Sequence, residues 1–222
     1  MPEDSSPDFT ESQQEDRLAY FTLPMALNYQ RNSYTLWESA LATWEDKDTK
    51  DVFSVKKAAE MAEGELRAKL LKHKVALQPN KHIATWQKLS QTITNNWGSI
   101  GGLMKAADND YLKLREIIQG THKKQFPYLS GPKIFNYWSF IISTYGNIPL
   151  KHKEAIEIAP DTHVTKCSVL LDVISEEEAE KLTKDQISAR WRELLAGSDI
   201  SPIDMHPPLW FWSKNDFVFQ LS

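Results

Sequence analysis

The recurrence of apolar residues along the chain predicts helices nearly throughout. Leu18 to Ala42 reads as helix around Pro24, with Leu27, Tyr34, Leu36, Trp37 and Leu41 supplying the apolar face. Val55 to about Lys74 puts Leu66, Leu70 and Leu71 inward and its bases outward, with Asp51 or Ser54 as candidate cap. Gln78-Pro79-Asn80 predicts a break before a helix over Ile83 to Trp97, and Gly98 to Gly102 predicts a turn. A short helical piece over Leu103 to Ala107 follows, then Tyr111 to Gln119, with Asn109 as candidate cap and Gly120 as stop. Beyond residue 160 the pattern predicts helices from about His163 to Val173 and from Thr183 to Ala196, the latter ending at Gly197. Between them, Ser175-Glu176-Glu177-Glu178 reads as a helix start, and Leu209 to Trp212 as a short helix or strand. Alternating strands joined by a hairpin dipeptide are not evident, so the expected class is all-α.

Chemistry concentrates between Gln125 and Asp161. Gly131 is free to take positive φ, and Pro132 suits the first position of a helix. Lys133 then falls in the first turn of a helix whose next residues, Ile134 to Ile142, are largely apolar on every side. Unpaired amides where a tight hairpin enters a helix make a ready anion site. The positive end of the helix dipole disfavours a protonated Lys133, which would make it a nucleophile toward carbon. Such an amine calls for a nearby carboxylate, and Asp161, after a short link and Pro160, is the candidate. The plainer alternative makes Lys133 a phosphate contact and Asp161 a helix cap.

Leu129-Ser130-Gly131-Pro132-Lys133, the apolar helix, and Ala159-Pro160-Asp161-Thr162-His163-Val164 together resemble the helix-hairpin-helix superfamily of DNA glycosylases. One glycine stands where many members have two, and the separation of Lys133 from Asp161 is longer than common, which is similar to the archaeal-type 8-oxoguanine glycosylase branch. Ala26-Leu27-Asn28-Tyr29-Gln30, followed by Tyr34 and Trp37, resembles the N-terminal helix of that branch, whose glutamine contacts the damaged base. Ile203-Asp204-Met205-His206-Pro207-Pro208-Leu209-Trp210 is similar to a segment whose tryptophan lines the base pocket, with His206 in an otherwise acidic position. The resemblance implies a glycosylase with lyase activity on an oxidised purine, 8-oxoguanine foremost. It implies Lys133 and Asp161 as catalytic residues, and Gln30, Trp210 and His206 as base-binding residues. Leu129, Ser130, Gly131, Lys123 and Lys124 would hold damaged double-stranded DNA. It also implies two helical subdomains with a cleft between them, one discontinuous (17–54 with 161–222) and one carrying the hairpin (55–160). A non-catalytic DNA-binding module of the same fold is the alternative.

Composition narrows this picture. Cys167 is the one cysteine among 222 residues, which excludes an internal disulfide and a four-cysteine iron–sulfur cluster. His163 and His206 lack the supporting spacing of a metal site, and no Gly-rich nucleotide-binding fingerprint occurs, so no cofactor is expected. No apolar run approaches the roughly 20 residues that span a bilayer, and the start is acidic, so a soluble intracellular monomer is expected. The net charge of −4 is unevenly spread: residues 1–16 hold six acids and no base, and read as a disordered tail. Gly64 to Lys88 carries a net +5 and Lys113 to Lys133 a net +4, which would suit phosphate on one face.

Overall fold

Side chains that accept from first-turn amides set where many of the helices begin. The computed structural model describes residues 1–29 and 31–218. The fold is all-α: twelve α-helices and no strand occur among the described residues, and 68% of the structure is helical. The chain divides into two units, one over Pro2–Lys151 and one from His152 onward. Residues 17–54 therefore share a unit with 55–151, whereas the resemblance groups them with 161–222.

The first unit contains α1 (Gln14–Ala26), α2 (Ser33–Glu45), α3 (Val55–Glu60), α4 (Glu63–Lys72), α5 (Pro79–Trp97), α6 (Ile100–Ala106), α7 (Tyr111–Arg115) and α8 (Pro132–Thr144). Every residue of α1 from Leu18 to Ala26 is buried, and α2, α6 and α8 pack against it. Fully buried tryptophans keep their ring N–H groups bonded. Trp138 on α8 donates to Thr22 Oγ1 at 3.1 Å, and Trp86 on α5 donates to the Val52 carbonyl at 2.8 Å. Both bonds satisfy a donor that burial would otherwise strand.

Several boundaries differ from those expected. Pro24 lies inside the last turns of α1, and the break comes later, where Asn32 caps α2 by accepting from Thr35 N at 3.3 Å. Ser54 is the cap of α3, as one of the two candidates, but the helix expected to run on to Lys74 breaks between α3 and α4. Pro79 opens α5 instead of breaking the chain before it, since its missing N–H is harmless at that position. Gly98, at φ 76°, ends α5. Gly101 and Gly102 belong to α6; a Cβ on Gly102 would stand 2.1 Å from the Trp97 carbonyl oxygen. Asp110 caps α7 in place of Asn109, accepting from Leu112 N at 2.8 Å.

The acidic segment expected to be disordered is built into this unit. The Phe9 ring lies 5.3 Å from that of Trp44 and 5.7 Å from that of Tyr20, and its carbonyl accepts from Arg17 Nη2 at 2.7 Å. Glu15 reaches across the fold to accept from Ile100 N (2.7 Å) and Gly101 N (2.8 Å) at the start of α6. A carboxylate there meets unpaired amides and the positive helix end together.

In the second unit, α9 (Thr162–Leu170), α10 (Glu176–Lys181), α11 (Lys184–Leu194) and α12 (His206–Lys214) surround Ile158, Val164, Cys167, Ile174, Ile187, Trp191 and Leu209. Ser175 forms the capping box at α10 and Thr183 the one at α11, which ends at Leu194, before the expected Ala196; Gly197, at φ 81°, lies in the turn that follows. The short helix or strand expected at Leu209 is helical, within α12.

Candidate functional site

The hairpin before α8 closes on itself. Leu129 N donates to the Pro127 carbonyl at 2.7 Å, Ser130 N to Phe126 at 2.9 Å and Gly131 N to Tyr128 at 2.8 Å. Tyr128 takes the left-handed backbone conformation, with φ 61°. Gly131 stands at φ −68° and ψ 138°, which any residue adopts, so its expected positive φ is not used. Glycine is instead favoured by proximity, because a Cβ there would lie 3.1 Å from the Tyr128 carbonyl oxygen. Leu129 is fully buried and plugs the turn into the core. These three amides are thus engaged within the turn, contrary to the open anion cradle expected of Leu129, Ser130 and Gly131. Gln119 secures the turn from the preceding helical segment, donating to the Ser130 carbonyl at 3.1 Å.

Pro132 begins α8 and Lys133 follows it, exposed, in the first turn. Behind it the helix is anchored by buried Phe135, Trp138, Ile141 and Ile142, so the backbone carrying the amine is fixed by the core. Tyr137 lies one helical turn beyond Lys133, on the same side of the helix.

Tyr29 comes close to this hairpin. The Tyr29 ring stacks on Tyr128 with centroids 4.8 Å apart and an interplanar angle of 16°. Arg31 is tied down by donating to the carbonyls of Val75 at 2.7 Å and Lys74 at 3.1 Å. Gln30, between them in sequence, lies outside the described residues. His82, fully buried, faces Tyr128 edge-on and accepts at Nδ1 from Leu77 N at 3.1 Å. Burial, and after it the charge of Arg31, pushes the His82 pKa down to about 4.

The positive stretches are less available than their charge counts suggest. Acids of the connector before α3 pair with bases of α4: Lys69 with Asp51 at 2.6 Å, and Lys72 with Asp46 at 2.7 Å. Hydrogen bonds from Lys72 and His73 hold the Asp46 carboxyl well below the usual carboxylate range. Arg67 pairs with Glu63 at 3.1 Å, and Lys113 with Asp108 at 3.3 Å. Lys123 and Lys124, in a 3-10 turn before the hairpin, are exposed and make no ion pair among the described residues.

In the second unit, Asp161 is the N-cap of α9, accepting from His163 N and Val164 N, each at 3.0 Å. That fixes the carboxylate at the positive end of the helix. His163 Nδ1 lies 3.0 Å from Ser213 Oγ, and its ring meets Trp210 edge-on with centroids 5.6 Å apart. Asp161, His163 and half-buried Trp210 therefore form one cluster where α9 and α12 pack together. His206 is buried, one turn before Trp210 on α12. Cys167 sits in the core beneath, its thiol donating to the Leu209 carbonyl at 3.1 Å and pushed up to about 11 by burial. Among the described residues no group of three His, Cys, Asp or Glu side chains could hold a metal ion, and no helix is long and apolar enough to cross a membrane.

Residues that carry no mark in the sequence include Tyr128, Arg31 and His82 around the hairpin, and Glu3, which is 1% exposed and bonded to Tyr137. Tyr137 itself has a detectable signal, its spacing of four from Lys133. The others depend on contacts between residues distant in sequence. Compared with family models, curated proteins and solved structures, the chain shows no match to any.

Proposed function

We propose that the protein is a base-excision DNA glycosylase with lyase activity that removes an oxidised purine, 8-oxoguanine being the first substrate to test. What carries this reading is Lys133: an exposed amine in the first turn of a core-anchored helix, directly behind an internally bonded turn. Support comes also from Asp161, whose carboxylate is oriented by two amides, and from Trp210, an aromatic ring left half-buried beside His163 on the same pair of helices.

In this reaction the damaged nucleotide leaves the duplex stack and its base stacks on aromatic surface, Trp210 foremost. The Lys133 amine attacks the sugar C1′, and the C1′–N bond breaks with its electron pair going to the departing base. Asp161 takes the proton lost by the amine and stabilises positive charge on the sugar, an electrostatic contribution available because the carboxylate is already oriented. Ring opening gives a Schiff base. Loss of a C2′ proton then expels the 3′ phosphate and cuts the strand. Lys123 and Lys124, rather than the bonded hairpin amides, are the groups that meet the DNA backbone.

Borohydride reduction in the presence of duplexes with different damaged bases tests the reading. A covalent protein–DNA adduct is expected with one lesion and is expected to be absent in Lys133→Gln. Base release without an adduct would mean a monofunctional glycosylase, and duplex binding without base release would mean a non-catalytic module.

A further inference from the structure

The acidic start of the chain lies on the helix that carries Lys133. Pro2–Asp4 forms a 3-10 turn packed against α2, with Pro2 and Glu3 buried. The Glu3 carboxyl accepts from the Tyr137 hydroxyl, and Asp4 Oδ1 accepts from the Tyr145 hydroxyl at 2.6 Å. Tyr137 is one turn beyond Lys133, and Tyr145 closes the far end of α8. The Glu3 carboxyl therefore occupies the turn of α8 that follows the exposed amine, and Asp4 fastens the same segment at the far end of the helix.

This attachment has an opposing term built into it. A buried carboxylate gives up its hydration, and the side chain that meets buried Glu3 is a neutral phenol, whereas exposed Asp4 meets the Met1 ammonium as well as Tyr145. Burial raises the Glu3 pKa, with the Tyr137 hydrogen bond working partly against it. Asp8 and Glu11, farther along the same segment, are exposed acids. Polyanionic DNA arriving at Lys133 would meet a like-charged strap resting on the next turn of the helix.

We propose that residues 2–4 are a displaceable anionic cover on the Lys133–Tyr137 side of α8, occupying ground that a DNA backbone takes when it binds. The proposal rests on the glycosylase reading for the identity of the ligand. It does not rest on that reading for the cover itself. Glu3→Gln keeps an acceptor for Tyr137 without a charge to desolvate and so tightens the cover. Glu3→Lys removes the acceptor and releases it. Asp8→Lys makes the same change of charge on an exposed residue of the segment and serves as the control.

The test combines affinity for a duplex containing a tetrahydrofuran abasic analogue, by fluorescence anisotropy at fixed salt, with amide hydrogen exchange of the first residues. Without DNA, exchange near Glu3 is expected to slow in Glu3→Gln and to quicken in Glu3→Lys. Duplex affinity should fall in Glu3→Gln and rise in Glu3→Lys by about three- to tenfold beyond Asp8→Lys, the scale of one buried hydrogen bond. Saturating duplex should expose the same amides in the unmodified protein. Equal affinities for Glu3→Lys and Asp8→Lys would overturn the cover, as would amides that duplex leaves protected; adduct formation would meanwhile keep the enzyme reading intact. If Glu3→Lys does not fold, Glu3→Gln and the exchange response to duplex decide alone. Opposite exchange shifts in the two variants, with no duplex bound by any protein, would uphold the cover and dismiss DNA as the ligand.

Discussion

His82 shows how one side chain ties local geometry to a solution property. Its Nδ1 accepts from Leu77 N, which leaves the ring proton of the neutral form on Nε2, and among the described residues no partner reaches that buried nitrogen. A pKa lowered from 6.5 to about 4 means that the folded protein resists protonation while the unfolded chain accepts it. The stability this contributes is fully present above about pH 6.5 and is lost as pH falls toward 4. The loss is on the order of 3 kcal/mol. Urea midpoints measured across that interval should fall with pH, and should fall less in His82→Gln. Nothing in the sequence near His82 marks it, because burial and the Arg31 charge come from contacts made only on folding. Gly131 is a parallel case: a glycine before a helix suggests a left-handed residue, yet that conformation belongs to Tyr128, a type that seldom adopts it.

Among the elements, α9 is where structure and chemistry can be separated. Asp161 both caps the helix and is the proposed proton acceptor. Asn is as good a cap as Asp, so Asp161→Asn should keep thermal stability within a few tenths of a kcal/mol while abolishing adduct formation. Asp161→Ala should lose the adduct and also about 1 kcal/mol of stability. Equal activity in Asp161→Asn and the unmodified protein would remove the carboxylate from the mechanism. Elements begun by nearby polar residues or by proline are legible in the sequence, as at Ser54, Ser175, Thr183 and Pro132. Support from a distant partner is not: α6 has a local cap in Ser99, which accepts from Gly102 N, but Glu15 adds to it from far upstream, and the glycines of α6 suggest a turn when taken alone.

Across the molecule, charge decides what can meet a polyanion. A count along the chain singles out the bases of α4, whereas Asp46, Asp51 and Glu63 already occupy Lys72, Lys69 and Arg67. Glu63 and Arg67 show the four-residue spacing of a helical pair, but the pairs that Asp46 and Asp51 make from the connector leave no periodic trace, so the sequence reveals the helices there and only part of the neutralisation of their charge. Lys123→Ala with Lys124→Ala should reduce the slope of log Kd against log salt for duplex binding by about 2, since each phosphate neutralised by a base contributes roughly 0.9. Replacing Lys69 and Lys72 by alanine should leave that slope unchanged. A slope that responds to both pairs alike would show that the α4 ion pairs open in the complex.

One last property follows from the solitary thiol behind Trp210. Cys167 is wholly enclosed, and its poor acidity leaves little thiolate at neutral pH. A disulfide reagent added to native protein can therefore react only when the α9–α12 packing breathes apart. Since the chain has one sulfhydryl, the colour it releases is a stopwatch for that opening, free of any background from elsewhere in the molecule.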